Sequence, residues 1–248
     1  MGAEPRAALL SLVLPEGFAV DELEALLDGL LALAATHRIA LVGGNITRSP
    51  GPLIVDVTAI GSVHRRRVLK RAGARPGDVV FVTGSLGEGA IGLRRLQDGG
   101  AAAVGTSERH YLRPQPRVRA GLLLGRNRVA SSCMDLSDGL ADGVRQIANA
   151  SGVGMVLDAS TLPIGADVMS WHEHHGGNAT DTALRGGDDY ELLFTVRPAH
   201  LGRVRGVRQH VGDLPITRIG VVTKGKDVLL RDEQGTREMP TGYEHFRM

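Results

Sequence analysis

The chain has 248 residues, and its 29 Lys and Arg against 27 Asp and Glu leave a net charge of +2, too balanced to point to a nucleic-acid partner. Hydrophobic residues make up 42% and aromatics only 3%, enough for one large or two small globular domains with cores of Leu, Val, Ile and Ala. The one cysteine, Cys133, excludes an intrachain disulfide and points to the cytoplasm, and neither a secretion signal nor an apolar run of membrane-spanning length is evident.

In chain order, "AALLSLVL" (7–14) reads as a strand, and 20–37 as a helix with Leu23, Leu26, Leu27, Leu30, Leu33 and Ala34 at helical spacing. "RIALVGG" is a buried strand closing in a glycine turn, and "PLIVDVTAIGSV" (52–63) another strand. The basic stretch "HRRRVLKRAGARPGD" is a connector between two halves, ending in a Pro-Gly turn. The second half opens with the strand "DVVFVTG", the turn "SLGEG" and a helix over about 89–97. "PQPRVRAGLLLG" predicts a helix begun after a proline, and "VASSCMDLS" a short strand or loop. "DGLADGVRQIANA" is an amphipathic helix burying Leu140, Val144, Ile147 and Ala148. "GVGMVLD" and "YELLFTV" are strands, "HLGRVRGVRQH" a helix, and "ITRIGVVT" and "DVLLRD" the closing strands, so the class is α/β or α+β.

Several segments can carry chemistry. In "MDLSDGL", a strand ending at Asp135 lets Ser137 cap the following helix with Asp138 in its first turn. Free N–H groups there suit a phosphate, and Mg²⁺ between Asp135 and Asp138 would offset their repulsion; the alternative is an N-cap plus a solvated aspartate. In "LVGGNITRSPGP", Gly43 and Gly44 admit a ligand near the backbone, beside Asn45, Thr47 and Arg48, or the segment is a polar loop. "RGGDDYELLF" sets Asp188 and Asp189 at a strand mouth, to receive a cationic ligand or hydroxyl, or to bond their own backbone in a turn. The order of glycines in "VTGSLGEGAIGL" argues for a structural turn rather than a dinucleotide loop, and "SWHEHHGG" reads as an exposed loop rather than a metal site.

Together these segments resemble the thiamine-monophosphate kinase family of the aminoimidazole-ribonucleotide-synthetase-like superfamily. "LVGGNITRSPGPL" resembles its G-G-D-T-T-R-x-P-G-P-L segment, and "RAGARPGDVVFVTGSLGEGAIGL" its R-S-G-A-x-P-G-D-x-x-x-V-T-G-x-L-G segment. "MDLSDGLAD", "GGDDYELLF" and "GYEHF" resemble I-D-I-S-D-G-L, G-G-E-D-Y-E-L-L-F and G-[YFW]-[DE]-H-F in the same order.

The resemblance implies ATP-dependent phosphorylation of thiamine monophosphate to thiamine diphosphate with Mg²⁺, in a cytoplasmic homodimer without nucleic-acid or membrane partners. Asp135 and Asp138 would bind the metal, with Asn45 standing where the family has an aspartate. Gly44, Asn45, Arg71 and Ser137 would lie at ATP, and Asp188 and Tyr243 at the thiamine substrate. No residue takes a covalent catalytic role, because the attacking phosphate oxygen is already anionic. It further implies a two-domain α/β (α+β) kinase. Residues 1–70 are then the remnant of a truncated N-terminal ATP/Mg-binding and dimerisation domain, and 71–248 a complete C-terminal α+β domain. The family's opening segment, with further metal-binding aspartates, is expected to be absent and turnover correspondingly low. The alternative is a non-catalytic nucleotide- or ligand-binding relative; a third reading is a superfamily kinase for another phosphate or carboxylate substrate.

Overall fold

The structure, a computed structural model, describes residues 2–99 and 104–242. It divides into two compact units, Ala3–Arg66 and a larger one of Met1–Gly2 with Arg67–Met248. Among the described residues no helix is long and apolar enough to cross a membrane.

The smaller unit runs β1 (Glu4–Leu14), α1 (Val20–Thr36), β2 (Ala40–Arg48), β3 (Ile54–Ser62). Its sheet has the order β2-β1-β3, with β1 parallel to β2 and antiparallel to β3. Alternation on the central strand buries Ala8, Leu10 and Leu12 on one face, while β2 and β3 are exposed along their length. The strand expected to close at Gly43-Gly44 continues to Arg48. Gly44 pairs with Leu10, and a Cβ there would lie 1.7 Å from the Leu10 carbonyl oxygen, so the close approach of two strands requires this glycine.

The larger unit runs β4 (Val79–Thr83), α2 (Glu88–Gln97), α3 (Thr106–Leu112), α4 (Val118–Arg126), β5 (Ala130–Asp135), α5 (Leu140–Ser151), β6 (Gly154–Asp158), α6 (Ala166–His175), α7 (Ala179–Arg185), β7 (Leu192–Val196), α8 (Leu201–Arg208), β8 (Ile216–Thr223), β9 (Val228–Asp232) and β10 (Gly235–Glu238). Its seven-stranded sheet has the order β10-β9-β6-β8-β4-β7-β5, antiparallel except for the parallel pair β6 and β9.

Every residue of β4 and β7 is buried, because helices cover both faces of the sheet. On one face Val80 and Val82 pack with Leu140, Val144 and Ile147 of α5. On the other, Val79 and Phe81 pack with Leu124 of α4 and Val204 and Val207 of α8. The aliphatic core expected from composition holds, with one aromatic exception: Phe81 and Phe194 stack at 5.6 Å across the β4–β7 pair. The segment "SWHEHH", expected to be an exposed loop, completes α6. That helix buries only Val168, so it carries no apolar stripe to announce it.

Candidate active site

β5 and β7 are antiparallel neighbours, with Asp135 opposite Leu192. The chain leaving β5 and the chain entering β7 therefore run side by side beyond the sheet. Backbone hydrogen bonds continue between them: Leu136 N–H to Glu191 O, Tyr190 N–H to Leu136 O, and Asp188 N–H to Ser137 O, each 2.8 Å. Two segments far apart in sequence, "DLSD" and "GGDDY", are thus fixed to one another by main-chain atoms.

Asp135 is exposed at the strand end, while Leu136 turns inward. Ser137 does not cap the next helix as expected. The cap position of α5 is Gly139, without a side-chain bond, and helix begins at Leu140; Asp138 precedes the helix instead of lying in its first turn. Two intervening residues let the loop follow Asp188 before turning into the helix. Arg71 is exposed beside the edge of the sheet, where the neighbouring Lys70 carbonyl accepts the Cys133 N–H at 2.8 Å.

The second segment alternates like a strand. Asp188 and Tyr190 reach outward, and the Tyr190 hydroxyl donates to Asp188 Oδ1 at 3.0 Å. Both have left-handed backbone, φ 64° and 51°. For Tyr this conformation costs about 1–3 kcal/mol and persists only where surrounding bonds impose it. Burial and the bond to Asp188 push the Tyr190 hydroxyl pKa up.

Asp189 points inward and is buried. Its carboxylate accepts N–H bonds from Gly87 at 2.8 Å and Gly89 at 3.2 Å, capping α2, which has no side-chain cap from its own cap residue. Burial pushes its pKa up to about 7; the two N–H bonds oppose this, and Glu191 and Glu88 nearby add to it. The His110 ring donates from Nε2 to the Asp189 carbonyl at 3.0 Å. Neither Asp188 nor Asp189 merely bonds its own turn.

Beneath them Glu191 is fully buried. Arg117 grips it with Nε at 2.8 Å and a second guanidinium nitrogen at 2.5 Å, and Thr83 Oγ1 donates to it at 2.6 Å. Thr83 in turn accepts the Leu192 N–H at 2.8 Å. Gly84 is left-handed, φ 64°, and a Cβ there would lie 1.9 Å from Glu191 Oε1. Gly84 therefore makes room for the Glu191 carboxylate, and Gly89 for the backbone at Asp188, which agrees with a structural turn.

In the smaller unit, Gly44 and Asn45 line an open cleft of about 450 Å³ with Leu10, Leu12, Leu27 and Leu41. Asn45 lies within β2, opposite Ser11, and not in a loop. Tyr243 lies outside the described residues.

Among the described residues, no three His, Cys, Asp or Glu side chains gather to hold a metal. Asp135 and Asp138 nonetheless fit Mg²⁺ in kind. They are hard carboxylate donors, and that ion keeps waters and takes substrate phosphate oxygens for the rest of its shell.

The model "AIR synthase related protein, C-terminal domain" matches residues 75–233, and "AIR synthase related protein, N-terminal domain" matches 1–63. The thiamine-monophosphate kinase of Salmonella typhimurium (strain LT2) is 40% identical over 255 residues, 99% of this chain and 75% of that protein. The chain belongs to the thiamine-monophosphate kinase family.

A crystal structure of thiamine-monophosphate kinase from Stenotrophomonas maltophilia K279a is 40% identical, covers 93% of this chain and 73% of that one, and superposes with a TM-score of 0.84. A solved structure described as AaThiL complexed with AMPPCP and TMP is 31% identical, covers 99% and 75%, and gives 0.85. These thiamine-monophosphate kinase structures share the mixed α/β architecture expected from the sequence. The comparisons do not bear out the expectation of an absent opening segment; they give the share of each relative that is matched.

The sequence pointed to Asp135, Ser137, Asp138 and Asp188, and main-chain bonds hold the two segments that carry them side by side. It missed Tyr190 as Asp188's partner, and it missed the clamp of Thr83, Arg117 and Glu191. The available signal was strand-like alternation within "DDYE", which separates the outward residues 188 and 190 from the inward 189 and 191.

Proposed function

We propose that this kinase transfers the terminal phosphoryl group of ATP to thiamine monophosphate, forming thiamine diphosphate and ADP. A phosphate oxygen of the acceptor forms the new bond to phosphorus as the bond to the leaving ADP oxygen breaks. That oxygen is already anionic, so the protein's task is positioning and charge neutralisation. Asp135 and Asp138 would hold Mg²⁺, which would supply positive charge to offset that of the phosphate oxygens and the two carboxylates. Ser137 and Arg71 take ATP oxygens, and the family resemblance assigns Gly44 and Asn45 to ATP as well. Asn45 offers an amide oxygen without the negative charge of an aspartate. Asp188 meets the cationic thiamine ring, and the family resemblance assigns Tyr243 to the same substrate.

The observation that carries this reading is the main-chain pairing of the Asp135–Asp138 loop with the Asp188–Tyr190 segment. It supports one cleft with phosphate chemistry on one wall and cation recognition on the other. The enzyme acts in the cytoplasm as a homodimer, and its near-neutral net charge of +2 suits it to small anionic substrates rather than nucleic acid. The test is incubation of the purified chain with thiamine monophosphate and ATP, with and without Mg²⁺. We expect thiamine diphosphate only with Mg²⁺. A folded chain that binds neither substrate nor forms product overturns the reading.

A further inference from the structure

Tyr190 is 38% exposed, so it does not serve the core, and its left-handed backbone is unfavourable for an aromatic residue. Its conformation is nonetheless fixed on both sides. The Tyr190 N–H bonds to the Leu136 carbonyl, and the neighbouring Asp189 is anchored to the first turn of α2. The consequence is that the phenol hydroxyl comes to Asp188 Oδ1 at 3.0 Å. A half-buried aspartate samples several rotamers, and each unproductive one lowers its affinity for a ligand cation. A donor on one oxygen selects one rotamer and leaves the other oxygen's direction defined.

We propose that Tyr190 is a positioning residue for the acceptor substrate, its hydroxyl holding the Asp188 carboxylate in the orientation that meets the thiamine ring. The inference rests on the substrate role of Asp188 given above. Tyr190 acts through Asp188 and needs no contact with ATP, so its effect is confined to one substrate. The raised pKa of the Tyr190 hydroxyl keeps it a donor throughout the neutral range.

The test is a double-mutant cycle on the full chain with Tyr190→Phe, Asp188→Asn and the pair. Binding of thiamine monophosphate and of ATP is measured separately by calorimetry, alongside steady-state kinetics and thermal midpoints. Tyr190→Phe should weaken thiamine monophosphate binding about three- to tenfold, the effect of one hydrogen bond. KM for that substrate should rise by the same factor, while kcat and the affinity for ATP change less than about twofold. In the Asp188→Asn background the second substitution should add nothing. If Asp188→Asn weakens binding and Tyr190→Phe does not, the positioning role is overturned and the substrate role of Asp188 stands. If Asp188→Asn leaves binding unchanged, the substrate role falls and this inference with it. Equal losses for both substrates, with a lowered midpoint, would make Tyr190 a structural residue and overturn the proposal.

Discussion

Glu191 is completely buried, and Arg117 holds its carboxylate in a two-point grip at 2.8 and 2.5 Å. Through Glu191 this pair adjoins the Asp188–Tyr190 segment in the chain, so stability and the geometry of that segment are coupled there.

Removing one member leaves a buried charge uncompensated, which costs about 3–5 kcal/mol. Arg117→Leu should therefore lower the thermal midpoint sharply. Arg117→Leu with Glu191→Leu should recover part of the loss, since no buried charge then remains. Differential scanning calorimetry of the single and double variants checks this. A single variant as stable as the parent would show that Glu191 finds another partner.

Asp189 sets a pH dependence. Its folded pKa of about 7 lies above the ordinary 3.8, so between roughly pH 4 and 7 the folded state holds a proton that the unfolded state has released. Its contribution to stability is full at the acid end, is lost as pH rises to about 7, and is flat beyond. Asp189→Asn removes this titration. The stability difference, parent minus variant, should fall across that window in denaturant titrations at several pH values; a constant difference would contradict it.

Glu88 behaves alike, and again burial is the main cause. Its Oε2 is hydrogen-bonded to Ser107 Oγ, which also lies 3.1 Å from Asp167 Oδ2. Burial raises the Glu88 pKa and the nearby Asp167 carboxylate adds to it, while the Ser107 bond, His110 and Arg95 oppose the shift. Glu88→Gln, which mimics the protonated acid, should cost less than about 1 kcal/mol at pH 8 or stabilise. Its advantage over the parent should shrink as pH falls, as read by urea unfolding at pH 5 and pH 8.

Asp135 is exposed at the end of β5, so its replacement should spare the fold. Asp135→Asn removes one of the two proposed carboxylate donors to Mg²⁺. ATP affinity measured with Mg²⁺ should drop at least about tenfold, while the weaker affinity measured with EDTA stays the same. An unchanged Mg²⁺ effect would remove Asp135 from the metal site.

The sheet was legible where burial imposes a pattern. "VVFVT" and "LLFTV" are continuous apolar runs because both faces of β4 and β7 are covered. α5 was legible from Leu140, Val144 and Ile147 on one face. The helices α3, α6 and α7 were not read as helices. α3 and α7 have only seven residues each, and α6 buries one side chain, so none has a stripe to read. In the site, the residue types that suit metal and phosphate stood out in the sequence. Asp189 stood out beside Asp188 as a candidate ligand, but its capping role did not, because the helix it caps lies about a hundred residues earlier in the chain, a pairing that only the folded sheet creates.

Three ties between the Asp135–Asp138 loop and the Asp188–Glu191 segment run from amide to carbonyl. The identities of the outward residues are therefore decoupled from the placement of their Cα atoms. A mount of this kind can be refitted one functional group at a time, each exchange testing new chemistry on a frame that stays put, which is how one architecture can come to serve several phosphate-bearing substrates.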